Sequence, residues 1–157
     1  TLDLWRGDRD AQGRDRPGLL MGENHDLTGR WTGVYFYPVD PDWNANDNLP
    51  ATPFTAELVD ASGMVTGVTS EPDVLGPAGS PPIPATLEGH HFHGELTFTK
   101  FPDGGGQLHT IDYIGTIAAD GNSISGQWII HGDWSGAFTM QRKVVSSVVA
   151  SELSATV

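Results

Sequence analysis

The chain has 157 residues, no cysteine, and a net charge of −12 from 20 acidic and 8 basic side chains. A negative field of this size repels nucleic acid and anionic membranes, so we expect neither as a partner. The absence of cysteine excludes disulfides, thiolate catalysis and zinc–sulfur sites. No apolar run approaches the roughly 20 residues of a membrane-spanning helix. We therefore expect a single soluble domain.

The fold class is indicated by eight segments in which apolar and polar residues alternate with a period of two. This is the pattern of a half-buried β-strand. The predicted strands are 27–37, 54–60, 64–71, 83–89, 95–100, 108–118, 123–131 and 134–143.

Short and long connections alternate between these segments, so an up-and-down sheet carries the long ones at one end. The short turns are at 61–63, 89–94 and 119–122, and the long connections are at 38–53, 72–82 and 101–107. Eight strands are enough to close a barrel. We therefore predict an all-β, eight-stranded antiparallel up-and-down barrel over 27–143 with one open mouth. An N-terminal arm over 1–26 and a short C-terminal extension over 144–157 flank it.

The arm and the extension contain apolar residues that need a surface to pack on, among them Leu4, Trp5 and Val148. That surface is either the barrel of the same chain or a neighbouring copy. We therefore predict a homo-oligomer.

A short signature of an apolar residue, a small or polar residue and a glycine recurs in five places. Glycine weakens a strand interior, where it marks a strong bend or a close approach of another backbone. The coiled strands of a small barrel need such bends, so the signature favours a curved barrel over a flat sandwich. The five glycines are Gly29, Gly67, Gly89, Gly126 and Gly136.

Four motifs resemble the avidin–streptavidin family in their order and spacing. They are Leu27-Thr28-Gly29-Arg30-Trp31, Val65-Thr66-Gly67, Tyr113-Ile114-Gly115 and Gln127-Trp128-Ile129-Ile130. The resemblance covers residues 27–143 and implies a calycin-type, eight-stranded barrel.

The resemblance does not imply biotin binding, because most matching positions carry other residues. The Asn that holds the biotin ureido oxygen in that family corresponds to Gly33, and an Asp of the last strand falls near Gly136. Two serines and a tryptophan are replaced by Tyr37, Glu71 and Tyr113, and only Trp128 is retained.

In the strand phase that the resemblance gives, the inward side chains form an aromatic cavity with a few polar groups. This is the usual composition of a small-molecule site. We expect Trp43 to fold over the mouth as a lid. The predicted ligand-binding residues are Trp31, Tyr35, Tyr37, Trp43, Lys100, Ile111, Tyr113, Trp128, Ile130, Trp134 and Phe138.

Glu71 is the main candidate for chemistry, because it ends the third predicted strand at the mouth, just before Pro72. A carboxylate desolvated among aromatics suits general acid–base catalysis. His109 begins the sixth predicted strand at the same end, and we name it with Tyr35 as a candidate catalytic partner. Alternatively, Glu71 is a solvated rim residue or pairs with Lys100.

Two segments imitate metal sites, yet we predict no metal and no other cofactor. His91 and His93 have a spacing that places both on one face of a strand, but the cluster lies at the tight end and favours a solvated hairpin. The loop over 40–48 places acidic and amide residues as a calcium loop does. However, Ala45 replaces the turn glycine and Ala51 the bidentate glutamate.

Three functions remain open from the sequence. The first is a protein that binds a small apolar or aromatic molecule in the barrel mouth. The second is a barrel enzyme, an isomerase, cyclase or lyase, that uses Glu71 with tyrosine or histidine partners. The third is an assembly module whose barrel is filled by its own aromatic side chains. An open cavity at Glu71 favours the first two, and a salt bridge at the rim of a filled barrel favours the third.

Overall fold

The computed structural model describes residues 25–106 and 109–143, which form one closed antiparallel β-barrel. Each strand pairs with its neighbours in sequence, and β1 pairs with β8 to close the sheet. The strands are β1 (Gly29–Tyr35), β2 (Thr52–Ala61), β3 (Met64–Glu71), β4 (Ile83–Phe92), β5 (Glu95–Pro102), β6 (Ile111–Ile117), β7 (Ser123–Ile130) and β8 (Trp134–Arg142). Within the described residues there is no helix that could cross a membrane.

The predicted fold class is confirmed, and the strand ends differ from the prediction by a few residues. β4 continues to Phe92, so its hairpin with β5 turns at His93 and Gly94, both with positive φ. β6 begins at Ile111 rather than near 108. The predicted arm, up to residue 24, and the extension over 144–157 lie outside the described residues, and the homo-oligomer stays a prediction.

The interior below the mouth is filled by large side chains. The Phe98 and Tyr113 rings stack with centroids 4.6 Å apart, and Phe138 packs edge-on against Tyr113 at 5.0 Å. Trp31 is 1% exposed and lies at the closed end with Leu27, whose carbonyl accepts the indole N–H at 2.9 Å. The residual void in this core measures about 10 Å³, roughly the space of one water molecule. This half of the barrel is therefore packed and offers no room for a ligand.

The closed end is sealed by a buried pair that the sequence did not reveal. The predicted solvated hairpin is wrong for His91, which is buried and places Nε2 2.6 Å from Asp60 Oδ2. Asp60 also accepts the backbone N–H groups of Leu27 and Gly63. His93 lies in the turn and not beside His91 on a strand face.

The strand glycines mark close backbone approaches, as their recurrence predicted. A Cβ at Gly67, Gly89 or Gly126 would overlap a carbonyl oxygen of the neighbouring strand. Gly126 is paired with Gly115, and its Cβ would meet the Ile114 carbonyl. Because the obstacle is backbone, it cannot move aside without breaking the ladder of hydrogen bonds.

We predict that Gly126→Ala lowers the free energy of unfolding by about 3 kcal/mol, because overpacking against a backbone forces the strands apart. Ser125→Ala, on the exposed outer face one residue earlier, is the control and should change it by no more than about 0.5 kcal/mol. Urea denaturation followed by far-UV circular dichroism measures both. Equal effects from the two substitutions would contradict the close-approach explanation.

Candidate functional site

The open mouth lies at the end that carries the β1–β2, β3–β4 and β5–β6 connections, together with the short β7–β8 turn. It contains a cavity of about 360 Å³. The residues that line the cavity are mostly aromatic or aliphatic, with a few charged side chains among them. They are Tyr35, Tyr37, Trp43, Asp73, Leu75, Lys100, Gly105, Gly106, His109, Ile111, Tyr113, Trp128, Ile130, Asp133 and Trp134.

The floor of the cavity is a buried ion pair. Lys100 Nζ on β5 lies 2.6 Å from Glu71 Oε1 at the end of β3. The Tyr35 hydroxyl on β1 donates to the other oxygen of the same carboxylate. Glu71 is 3% exposed and is not among the residues that line the cavity. Its carboxylate lies behind Tyr35 and Lys100, and each of its two oxygens is bonded to one of them. Glu71 therefore orients the two side chains that reach the cavity.

The two phenols near the floor remain protonated. Burial, followed by the adjacent Glu71 carboxylate, raises the pKa of Tyr35 well above its ordinary value. Burial raises the pKa of Tyr113 in the same direction. At neutral pH both side chains are therefore neutral hydroxyls, and the Tyr35 hydroxyl donates its hydrogen to Glu71. The ammonium of Lys100 also lies over both rings, 5.1 Å from the Tyr35 centroid and 5.7 Å from the Tyr113 centroid.

Four aromatic side chains, called here the mouth aromatics, stand above this floor: Tyr37, Trp43, Trp128 and Trp134. Trp134 stacks on Tyr37 with centroids 5.3 Å apart and meets Trp128 edge-on at 5.4 Å. The Trp128 indole N–H donates to the Phe36 carbonyl at 2.9 Å. Each ring is thus oriented by a neighbour, so the aromatic surface is preformed.

The β1–β2 connection is held in shape by its own polar side chains. Asn44 is buried; its amide donates to the Pro38 carbonyl and its oxygen accepts the backbone N–H groups of Asn48 and Leu49. Asp40 Oδ1 accepts the N–H groups of Asp42 and Trp43. Two of the side-chain oxygens that imitate a calcium loop in the sequence, those of Asp40 and Asn44, therefore serve as turn acceptors. Trp43 stands at the tip, 58% exposed, with its ring 6.4 Å from that of Trp134.

The remaining predicted site residues lie at different depths in the barrel. Ile111 and Ile130 line the cavity. His109 also lines the cavity, but it is exposed and precedes β6. It is not bonded to Glu71, whose side-chain partners among the described residues are Tyr35 and Lys100. The predicted ligand-binding residues Trp31 and Phe138 are packed in the core and do not line the cavity. Five lining residues of the mouth connections were not predicted from the sequence, namely Asp73, Leu75, Gly105, Gly106 and Asp133.

A larger concave surface of about 710 Å³ lies across β8, β1, β2 and the end of β3. Most of its lining side chains belong to the outer face of the barrel, for example Thr32, Thr55 and Thr139. Glu71 is the only ionisable residue in this lining, and its carboxylate is already bound inside the barrel. The mouth, where aromatic and charged groups converge, is therefore the candidate functional site.

Comparison with known proteins gives no similar family model, curated protein or solved structure at a significant level. The eight-stranded antiparallel barrel is consistent with a calycin-like fold. Membership of the avidin family therefore remains a prediction from the four sequence motifs.

The positions that match the biotin contacts of that family have a different geometry here. The space above Gly33 is occupied by the Phe54 ring, which a Cβ at residue 33 would overlap. A Cβ at Gly136 would collide with the Phe36 carbonyl and with the Trp128 indole. Glycine therefore leaves room for an aromatic ring at both positions, and at Gly136 also for a close approach of backbone.

We predict that Glu71→Gln lowers the free energy of unfolding by about 3 to 5 kcal/mol, because it leaves the buried Lys100 ammonium without its carboxylate. The double variant Glu71→Gln with Lys100→Met removes both charges and should recover most of the loss. Glu57→Gln breaks the exposed Arg30–Glu57 pair and is the control, with an expected change of no more than about 0.5 kcal/mol. Chemical denaturation measures all three, and a loss for Glu71→Gln as small as the control would contradict the buried ion pair.

Proposed function

We propose that this protein binds a small apolar or aromatic molecule in the mouth of its barrel. The observation that supports the proposal is a cavity of about 360 Å³ above a packed core, lined by oriented aromatic rings. Pockets for small molecules commonly measure roughly 300 to 1,000 Å³ and combine apolar walls with a few polar groups. An assembly module with a filled barrel does not need such a cavity.

The size of the cavity limits the ligand. A volume of about 360 Å³ lies near the lower end of that range, so the proposed ligand is a compact molecule of one or two rings. Ile111 and Ile130 supply apolar contacts, and the mouth aromatics supply flat faces. Lys100 can donate to an oxygen of the ligand, because its ammonium has three N–H groups and Glu71 accepts one of them.

Ile130→Trp should abolish binding, because the larger side chain fills the mouth cavity. Ile129→Trp adds the same volume on the outer face of β7 and is the matched control. A library of small aromatic compounds is screened on the unmodified chain by the shift in melting temperature, and hits are titrated by tryptophan fluorescence. A ligand at 100 times its dissociation constant adds about 2.7 kcal/mol of stability. Hits that bind both variants equally well would place the binding site elsewhere.

A second candidate function is acid–base catalysis on the bound molecule, as an isomerase, cyclase or lyase. The chain of contacts from Lys100 through Glu71 to Tyr35 favours it, because it fixes a neutral hydroxyl and an ammonium at the cavity floor. In this reading Glu71 is a positioning residue, and Tyr35 and Lys100 touch the substrate.

If the protein is such an enzyme, Tyr35→Phe should lower turnover by roughly 10²- to 10⁴-fold while the ligand affinity stays within about tenfold. Tyr113→Phe is the control, because it removes a buried phenol of the same cavity that is not bonded to Glu71. Conversion of the screened hits is followed by nuclear magnetic resonance. Turnover that survives Tyr35→Phe would exclude a catalytic role for the Tyr35 hydroxyl.

A further inference from the structure

The mouth aromatics surround Trp134 on several sides. Tyr37 stacks on it at an interplanar angle of 25°, Trp128 meets it at 84°, and Trp43 lies tilted at 40°. All four rings line the cavity, at different angles to one another. The faces carry the negative end of the ring quadrupole, and tryptophan gives the strongest attraction for a cation.

The rim of the cavity carries uncompensated negative charge. Asp73 and Asp133 both line it, and neither forms an ion pair with another described residue. Asp73 uses Oδ1 to accept the Gly76 N–H at 2.9 Å, which fixes its carboxylate at the mouth. Asp133 lies in the β7–β8 turn, next to Trp134 in the chain.

The one buried cation of the site is already neutralised. Lys100 lies on the floor with Glu71 at 2.6 Å, so the pair contributes little net charge to the mouth above it. Tyr37 comes two residues after Tyr35 in the chain, toward the open end of the barrel. The mouth aromatics therefore lie between this floor and the rim. His109 is the other basic group in the lining, and it is exposed to solvent. The negative rim is thus next to the aromatic rings, and the neutralised ion pair of the floor lies beyond them.

We propose that the mouth recognises a hydrophobic organic cation, a quaternary ammonium or a protonated amine with an apolar body. The inference rests on the proposed binding function and specifies its ligand class. The cationic head lies among the mouth aromatics beside Asp133, and the apolar body extends inward to Ile111 and Ile130. Attraction to the aromatic faces and to the rim carboxylates acts on the same group, so both favour a cation over a neutral molecule of equal shape.

The experiment compares three probes of similar shape and different charge on the full chain. They are the phenyltrimethylammonium ion, its neutral isostere tert-butylbenzene, and the benzenesulfonate ion. Calorimetric titration should give a dissociation constant at least about tenfold lower for the ammonium probe than for the neutral isostere. Benzenesulfonate should bind most weakly, and added salt should weaken the ammonium probe and leave the neutral one unchanged.

Variants test the two sources of the preference separately. Trp134→Leu should reduce the difference between the ammonium and neutral probes to about threefold, the part that the rim carboxylates contribute, and Trp134→Phe should retain more of the difference. Asp133→Asn should weaken the ammonium probe by about threefold and reduce its salt dependence. Asp120→Asn, in the turn at the closed end, is the matched control and should change neither. Circular dichroism confirms that each variant is folded.

The outcomes separate this inference from the binding function itself. If tert-butylbenzene or benzenesulfonate binds as tightly as the ammonium probe, and Ile130→Trp abolishes that binding, the proposed cation preference is wrong. The proposed binding function of the mouth then still stands. If no probe binds, or if Ile130→Trp and Ile129→Trp retain binding equally, the inference and the binding function both fail.

Discussion

A carboxylate inside an apolar barrel has to be compensated, because moving it out of water costs several kcal/mol. Glu71 meets this constraint with one partner from β5 and one from β1, while it stands itself at the end of β3. The two partners reach it only when the sheet is closed and in register. A slip of one residue on any of these strands would turn a partner to the outer face and leave the charge unpaired. The ion pair therefore ties the position of the cavity floor to the closure of the barrel.

The charged groups at the two ends of the barrel are arranged differently. Those at the closed end are bonded within the protein, and those at the mouth border a cavity. At the closed end the Asp60 carboxylate is bonded to His91 and to two backbone N–H groups, and Arg142 donates to the backbone carbonyls of Asp26, Thr28 and Gly121. These groups are committed to one another and seal the end. At the mouth, the Lys100 ammonium lines the cavity, and Glu71 accepts only one of its three N–H groups.

The strands and their order could be predicted because the evidence for them is local. Alternation with a period of two correctly predicted both ends of the strand Met64–Glu71. The turn residues predicted which connections are tight hairpins. The glycine signature pointed to close backbone approaches, and a Cβ at Gly67, Gly89 or Gly126 would indeed meet a neighbouring carbonyl.

The partners of the buried charges were harder to predict, because they are joined across the barrel. Tyr35 and Glu71 are separated by 36 positions, and Asp60 and His91 by 31. His91 continues the inward alternation of Ile83, Ala85 and Leu87 along β4, but the predicted strand ended at residue 89, so His91 was assigned to the hairpin. The sequence left two structural alternatives for Glu71, a solvated rim position or a pair with Lys100, because each of these two residues is the last of a predicted strand at the mouth. The burial of Glu71 behind Tyr35 could not be predicted, because it depends on how the closed sheet curves.

The mouth cavity is lined by aromatic rings and has few free polar groups. The Trp128 indole lies over Gly136, where a Cβ would meet both the Phe36 carbonyl and the indole. The indole N–H of Trp128 is bonded to the Phe36 carbonyl, so this side chain contributes its ring and no free donor to the cavity. Tyr37 likewise has its hydroxyl within reach of Tyr35 and Thr52. In the proposed binding function, recognition in the mouth therefore depends on shape, on the ring quadrupoles and on the charges at the rim.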